Sequence, residues 1–435
     1  MRIAVLGGGI VGVTTAWELA EDGHEVSLIE QDADLAAGTS FANGGQIAVG
    51  ESGPWSTPDL ARRLWEQWGA AHPPFRLRLR MSPRQWRWLL QFLRQCAPPT
   101  HRRALVRNFL LARYSQQRLA ATRRKLGGRL RYDAEARGIL QLYACRRSWD
   151  SARRHASHLQ DETGAQFATM DAAACVAHEP ALAHAFERGL YVGGVLSPGD
   201  ESGDARVFAQ QLGASLAGRV RFHMGVRAAA LRQERGKVVA VATDAGEIEA
   251  DAVVVALGCA SHWFLRRFGV SLPILPLKGY SLTLPNVSEA AGDAPHTSLT
   301  DYGQRLVLSR LGSRLRVAGY AEVGYGAAME SERVEGLRAR LQRLFPAAGD
   351  YAAARPWCGF RPMSADGAPF IGAVRRSGLA RLTGCWRRPP PQGLYVNAGH
   401  GSLGWTFAHG SARLLADLIS NHPPALDAGA FTAAR

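Results

Sequence analysis

Lysine is nearly absent from this chain, with 3 residues against 49 arginines. Arginine density alone therefore reflects compositional bias as much as function. Cysteine is sparse and scattered: Cys96, Cys145, Cys175, Cys259, Cys358 and Cys385 form no C-x-x-C pair. That argues against a zinc site or any other metal site and against a disulfide scaffold, and it fits a reducing compartment. No stretch of about 18 uninterrupted apolar residues occurs, so no transmembrane helix is expected. The apolar run after Arg2 lacks the small-residue cleavage site of a secretory signal. Internal repeats are missing, and low complexity is confined to Arg387-Arg-Pro-Pro-Pro391. Acidic residues are missing from one long segment. Between Leu60 and Arg131, 18 Lys+Arg accompany a single carboxylate, Glu66, giving +17 there and about −2 over the rest of a chain whose net charge is +15.

What is present begins at the N-terminus. Arg2-Ile-Ala-Val-Leu6 reads as a buried strand, Gly7-Gly-Gly9-Ile-Val-Gly12 follows, and Val13 to Ala20 suits a helix. Glu25 to Glu30 is a second strand that ends in a carboxylate eighteen residues past Gly12. Strand, G-x-G-x-x-G, helix and acid about 20 residues on form the dinucleotide-binding fingerprint. Gly7 permits the tight turn, Gly9 lets the backbone approach a pyrophosphate, and Gly12 lets helix and strand pack closely. The helix N-terminus faces the phosphate charge, and Glu30 accepts from a ribose hydroxyl. The bland alternative is a glycine-rich turn without a ligand. The motif alone does not choose between FAD and NAD.

The basic segment also carries tryptophan, at Trp65, Trp68, Trp86 and Trp88. Ser82-Pro83 looks like a cap and first-turn proline. Trp86, Leu89, Leu90 and Leu93 then share one helical face, with Arg84, Arg87 and Arg94 elsewhere around it. Such a helix suits an anionic membrane surface. The plainer reading has the stripe packed on the core and the arginines solvated. No recognised nucleic-acid module accompanies the charge, so no nucleic-acid partner is expected.

Further along, residues 55 to about 130 and 148 to 185 read as mostly helical, and Gly138 to Tyr143 as a strand. Ala252 to Leu257 is a continuous apolar run, as a parallel strand should be. Leu275 to Leu284 and Gln304 to Ala318 alternate like antiparallel strands, with a hairpin turn at Gly312-Ser313. A last strand, Gly393 to Asn397, precedes a glycine turn and a helix to Ser420. The expected fold is α/β. A split Rossmann-like nucleotide domain, mostly parallel with helices on both faces, would comprise 1–50, 190–262 and 355–420. An α+β substrate domain with an antiparallel sheet would comprise 51–189 and 263–354, including the basic segment 60–131.

Several strings together carry a resemblance. They are Gly7 to Gly12 with Glu30, Thr39-Ser-x-Ala-Asn-Gly-Gly-Gln-Ile47, Asp200-Glu-Ser-Gly-Asp204, Pro276-Leu-Lys-Gly-Tyr-Ser-Leu-Thr283, Gly359-Phe-Arg-Pro-Met-Ser-Ala-Asp-Gly367 and Asn397-Ala-Gly-His-Gly-Ser-Leu-Gly-Trp-Thr406. From Met1 to about Ile419 the chain resembles the bacterial D-amino acid dehydrogenases, the quinone-linked branch of the D-amino acid oxidase-like FAD flavoproteins. The resemblance implies non-covalent FAD and oxidative deamination of D-alanine-like substrates to 2-oxo acids and ammonia, with hydride passing from Cα to flavin N5. Electrons would go to a quinone or respiratory-chain acceptor, at the cytoplasmic face of the bacterial inner membrane. Another small amine (glycine, sarcosine or a D-proline derivative) is the neighbouring reading. A flavin-binding protein without turnover is the reading from another class.

The cofactor contacts implied are Gly7, Gly9, Ile10, Val11 and Gly12 at the first turn and Glu30 with Gln31 at the ribose. Thr39 and Ser40 would lie near the pyrophosphate, and Asn43, Gly44, Gly45, Gln46 and Ile47 beside the flavin. Backbone at Val226 would meet adenine, and Gly258 would close over the phosphates. Gly399, His400, Gly401, Ser402, Leu403 and Gly404 would face the flavin's pyrimidine edge. At the substrate, a carboxylate calls for a planar, permanently charged donor. Arg361 is the first candidate, against a structural arginine paired with Asp366. Tyr280 is the second, against a core aromatic, and Tyr320 is weaker. His400 is weighed as a catalytic group against a plain turn residue. No general base is assigned, because the lone pair of the neutral amine drives hydride loss. About fifteen residues between Gly372 and Leu394 exceed the family's usual connection, at about 375–392, and either cover the site or form a surface excursion.

Overall fold

The computed structural model describes residues 1–60, 73–290, 292–375 and 389–432. Most of the extra connection, and Trp65 and Trp68 of the basic segment, lie outside them. A six-stranded sheet runs in the order Phe370–Ala373, Leu394–Ala398, Ala252–Val255, Arg2–Leu6, Glu25–Glu30, Val220–Met224. All neighbours are parallel except the edge pair Phe370–Ala373 with Leu394–Ala398. Ala252–Val255 is buried at every position, because strands flank it and both its faces are covered.

One face carries the helix Ile10–Glu21, packed against the last helix, Gly404–Ser420, and against Ala205–Ser215; Pro98–Leu126 packs on the last helix. Arg413 ties the first and last helices: it donates to Asp417 at 2.9 Å, to Asp22 at 2.8 Å and to Glu18 at 3.2 Å. The other face packs against the short helix Ser261–Arg266 and a three-stranded antiparallel sheet spanning Ala228–Glu249.

The second large sheet is mainly antiparallel. Its path is Arg355–Ser364, Ile274–Leu284, Arg314–Val323, Leu306–Leu311, Ser298–Asp301, Ile139–Tyr143, Gly193–Ser197, Ala168–Asp171. Phe75–Leu77 adds a parallel partner to Arg314–Val323. The hairpin turn falls at Gly312, with φ +60°. The helix Ser331–Leu344 buries Leu337 and Leu341 against one face, in a core with Tyr280 and Tyr320. Two strands depart from the expected division, since Gly193–Ser197 and Arg355–Ser364 both belong to this sheet. Arg355–Ser364 is drawn here by ten consecutive pairings with Ile274–Leu284.

The tryptophan helix, Pro83–Gln95, leaves most of its Trp86, Leu89, Leu90 and Leu93 stripe outside the core, so the plainer reading of that stripe as core packing does not hold. Trp88 faces inward, stacks on Phe92 and donates its Nε1–H to the Met363 carbonyl at 2.9 Å. Trp86, Leu90 and Leu93 remain 45%, 57% and 59% exposed. The helix therefore has two apolar faces, and only the one through Gln85 and Trp88 reaches the core, with Leu89 and Phe92 packed beside it.

Candidate cofactor and active site

Between the two large sheets lies one cavity of about 2110 Å³. At one end, the turn after Arg2–Leu6 is built as the glycine spacing requires. Gly7 sits at φ +106°, and a Cβ on Gly12 would fall 1.8 Å from the Gly7 carbonyl oxygen, so only glycine lets helix and strand meet there. The helix begins at Gly9 with no side-chain cap. Its first amide, Ile10 N–H, meets Ser40 Oγ at 3.1 Å, which brings the Thr39-Ser40 loop to the helix start. Thr39 itself donates to the Phe360 carbonyl at 2.7 Å. Glu30 accepts from the backbone amides of Gly8 and Asp32 at the cavity wall. Val226 donates its N–H to the Glu30 carbonyl at 2.9 Å, so any adenine contact there falls to its own carbonyl.

The cavity continues past Asn43, Gly44, Gly45 and Gln46 to the start of the last helix. Gln46 is fixed by Ser298 at 3.0 Å and Thr300 at 3.2 Å, and Ala48 N–H meets Thr406 Oγ1 at 3.1 Å. At that end Gly401–Leu403 makes a 3-10 turn into Gly404–Ser420, again without a side-chain cap. Helix N-termini at both ends of one cavity suit a ligand with a diphosphate and a ring that gains negative charge. The expected contact residues line this cavity, including Gln31, Val11, Gly258, Ser402 and Leu403. Gly12, Ile47 and Gly399 are not among the residues that line it. The donor pattern therefore fits FAD, whose place would run from Glu30 through Gly9 and Ser40 to Gly401–Gly404.

His400 lines the cavity, but its Nε2 is 2.9 Å from Ser411 Oγ, whose own hydrogen goes to the Ala408 carbonyl at 3.1 Å. Nε2 is thereby the donor. Burial pulls the imidazole down to about 3, so it is neutral at physiological pH. Its contacts support the turn.

Arg361 is enclosed, and burial lowers its guanidinium to about 10, which still leaves it charged at neutral pH. Nη1 donates to the Tyr320 carbonyl at 2.9 Å. The guanidinium lies over Gly279, where a Cβ would stand 2.1 Å from Nη1. Among the described residues no carboxylate pairs with it. Asp366 is engaged by Arg107 at 3.0 Å, so the alternative pairing of Arg361 with Asp366 is not formed.

Tyr280 is placed differently from the expectation that its hydroxyl reaches the same carboxylate. It is 1% exposed, and its hydroxyl donates to Glu322 at 3.2 Å. Strand alternation explains this, since Tyr280 and Gly279 are adjacent and their side-chain positions point to opposite faces of the sheet. Tyr320 packs edge-on to Tyr280, with the Arg333 guanidinium over its ring, and offers the cavity its backbone carbonyl. Its positive φ of 59° turns that carbonyl toward Arg361.

Two further features shape the site, and only the second had a signal in the sequence. Glu51 lines the cavity from a glycine-rich loop without periodicity. Asp200, within a quoted string, accepts the amides of Val49 at 2.9 Å and Gly50 at 3.1 Å, and so fixes that loop.

The sequence matches the family described as FAD dependent oxidoreductase over residues 2–418. It is 41% identical over 427 residues to a protein of Methylobacterium nodulans named D-amino acid dehydrogenase, covering 98% of this chain and 96% of that one. A D-amino acid dehydrogenase of Agrobacterium fabrum is 39% identical over 430 residues, covering 98% and 97%. Among solved structures, glycine oxidase from Geobacillus kaustophilus superposes with a TM-score of 0.72 at 21% identity over 100% of this chain and 99% of that one, a likeness of fold.

Proposed function

This chain belongs to the family of FAD-dependent oxidoreductases, and from that premise we propose that it deaminates D-amino acids oxidatively, giving 2-oxo acids and ammonia. The observation that carries the reading is Arg361, a half-buried cation with no carboxylate partner among the described residues, open to the cavity that holds the FAD cradle. A substrate carboxylate is the partner it lacks. Bound FAD supplies the hydride acceptor.

The protein's share is orientation and field. Tyr320 fixes one edge of Arg361, leaving the other to grip the substrate acid and set Cα relative to the cofactor. The uncapped turn Gly401–Gly404 places positive potential where charge accumulates. His400 holds that turn without exchanging a proton, and Tyr280 secures the sheet behind Arg361 through Glu322. The substrate amine reacts neutral, so activity rises with pH toward the amine's own pKa.

Electrons are proposed to leave to a membrane quinone. The support is the cavity wall, where Leu77, Leu79, Trp86, Leu90, Leu93 and Trp263 are all exposed, while Arg78, Arg80, Arg87 and Arg94, interleaved with them in the chain, are exposed too. Exposed apolar residues interleaved with arginine fit an anionic lipid surface. No helix among the described residues is long and apolar enough to cross a membrane, so the proposed attachment is peripheral, on the cytoplasmic face of the inner membrane. Purified protein given D-alanine and a short-chain quinone without oxygen is expected to yield pyruvate and ammonia in equal amounts. Product formed only with oxygen would refute the quinone route, and no product from any D-amino acid would refute the deaminase reading.

A further inference from the structure

Glu51 is a carboxylate on the wall of the substrate cavity with no use in the chemistry above. Its carboxylate lies close to the Thr300 hydroxyl, which favours the charged form. Its Oε1 is shut off from solvent and has no hydrogen-bond partner among the described residues. Desolvation raises the group to about 7, so it is poised between neutral and charged while it lacks a cation. Arg305 is the nearest favourable charge, but it is exposed and stacks on Tyr302 at 4.3 Å. Arg147, Arg154 and His155 also line the cavity and are likewise exposed, where solvent and salt screen them. A carboxylate on a cavity wall with one oxygen occluded and unpartnered is a costly feature unless a cation in the cavity meets the group.

The sheet ladder sets the distance between Glu51 and Arg361. Thr300 pairs with Val307, and Val307 pairs with Ala318, so Thr300 lies two strands from the strand of Ala318 and Tyr320. Two strand spacings are about 9–10 Å, and the two residues from Ala318 to Tyr320 add about 7 Å along the strand. Thr300 is therefore roughly 12 Å from Tyr320, whose carbonyl holds the Arg361 guanidinium. An α-amine on a substrate anchored at Arg361 falls short of that span. The terminal nitrogen of a lysine-length side chain, about 6 Å beyond Cα, reaches it with one hydrogen bond at each end.

We propose that Glu51 is the second pole of the substrate site, and that it selects D-amino acids whose side chain ends in an ammonium or guanidinium. The proposal rests on Arg361 as the carboxylate anchor. Both poles act on one substrate, acid at Arg361 and distal cation at Glu51, with the Cα–H between them.

The test compares D-lysine with its uncharged isostere D-norleucine and with D-alanine, in wild type and in Glu51→Gln, using FAD content to verify folding. In the wild type, D-lysine is expected to exceed D-norleucine in kcat/KM by at least ~30-fold. In Glu51→Gln that ratio is expected to collapse to within about threefold through KM, with D-alanine turnover changed less than about threefold. A D-lysine to D-norleucine ratio that survives in Glu51→Gln overturns the proposal. So does a wild type that oxidises D-alanine but not D-lysine. An equal loss for all three substrates assigns Glu51 to the α-ammonium and overturns the side-chain assignment. A wild type that oxidises no amino acid defeats the underlying deaminase reading, a result recognisably different from the others.

Discussion

Replacing Arg361 with alanine removes the half-buried cation that faces the candidate substrate site. The loss can be sized from the structure. Nη1 is already committed to the Tyr320 carbonyl, so the remaining donors are what a substrate carboxylate receives. Truncating one partner of a buried, hydrogen-bonded charge pair costs about 2–5 kcal/mol. At ~1.4 kcal/mol per tenfold, kcat/KM should fall between roughly 30-fold and several thousandfold. FAD should remain bound, because Arg361 stands outside both glycine turns of the cradle. Arg361→Lys should recover only part of the loss, since an ammonium lacks the planar fork. Steady-state kinetics on D-alanine, with the ~450 nm flavin absorbance as the control for occupancy, separate the two effects. Turnover within about threefold of wild type in flavin-loaded Arg361→Ala would remove this residue from the substrate site.

Gly12→Ala should abolish FAD retention and destabilise the fold, because the new Cβ would stand 1.8 Å from the Gly7 carbonyl oxygen. A variant purified with full flavin would contradict the close packing. Burial lowers both His400 and His409 to about 3. The unfolded chain takes up these protons near 6.5 and the folded one near 3, so their contribution is present above about 6.5 and is lost as pH falls through that window. His409→Leu, at a ring with neither nitrogen hydrogen-bonded among the described residues, should make the acid-side loss shallower by up to ~1.4 kcal/mol per pH unit. Denaturant titrations at pH 6, 5 and 4 would show an unchanged slope if the reading is wrong. The paired change Leu90→Glu and Leu93→Glu should release the protein from anionic vesicles without altering D-alanine kinetics in a soluble assay. Undiminished cosedimentation, or binding untouched by high salt, would rule out the exposed face of Pro83–Gln95 as the contact.

The nucleotide end of the fold was legible because its constraints are local. Gly7, Gly9 and Gly12 are fixed by a single turn, and the Ala252–Val255 run by burial on both faces. The substrate end was legible only in part. Arg361 has a physical reason to be arginine wherever it stands, but Tyr280 depended on which face of a strand it occupied. That was settled by the register of Ile274–Leu284 against Arg355–Ser364 and by a bulge at Lys278 and Tyr280. The tryptophan helix left two readings open for a related reason. Its periodicity supports two apolar faces, and only the hydrogen bond from Trp88 to Met363 shows which one turns inward. Glu51 was invisible because its significance comes from Thr300, about 250 residues away in sequence.

The most direct measurement is an anaerobic visible spectrum of the purified protein, before and after D-alanine and then L-alanine. Bleaching of the ~450 nm flavin band by the D form alone is the predicted result, and it joins FAD, amine oxidation and stereochemistry in one observation. A flavin band that no D-amino acid bleaches would contradict the deaminase assignment, and a protein that carries no flavin even after incubation with FAD would contradict the cradle itself.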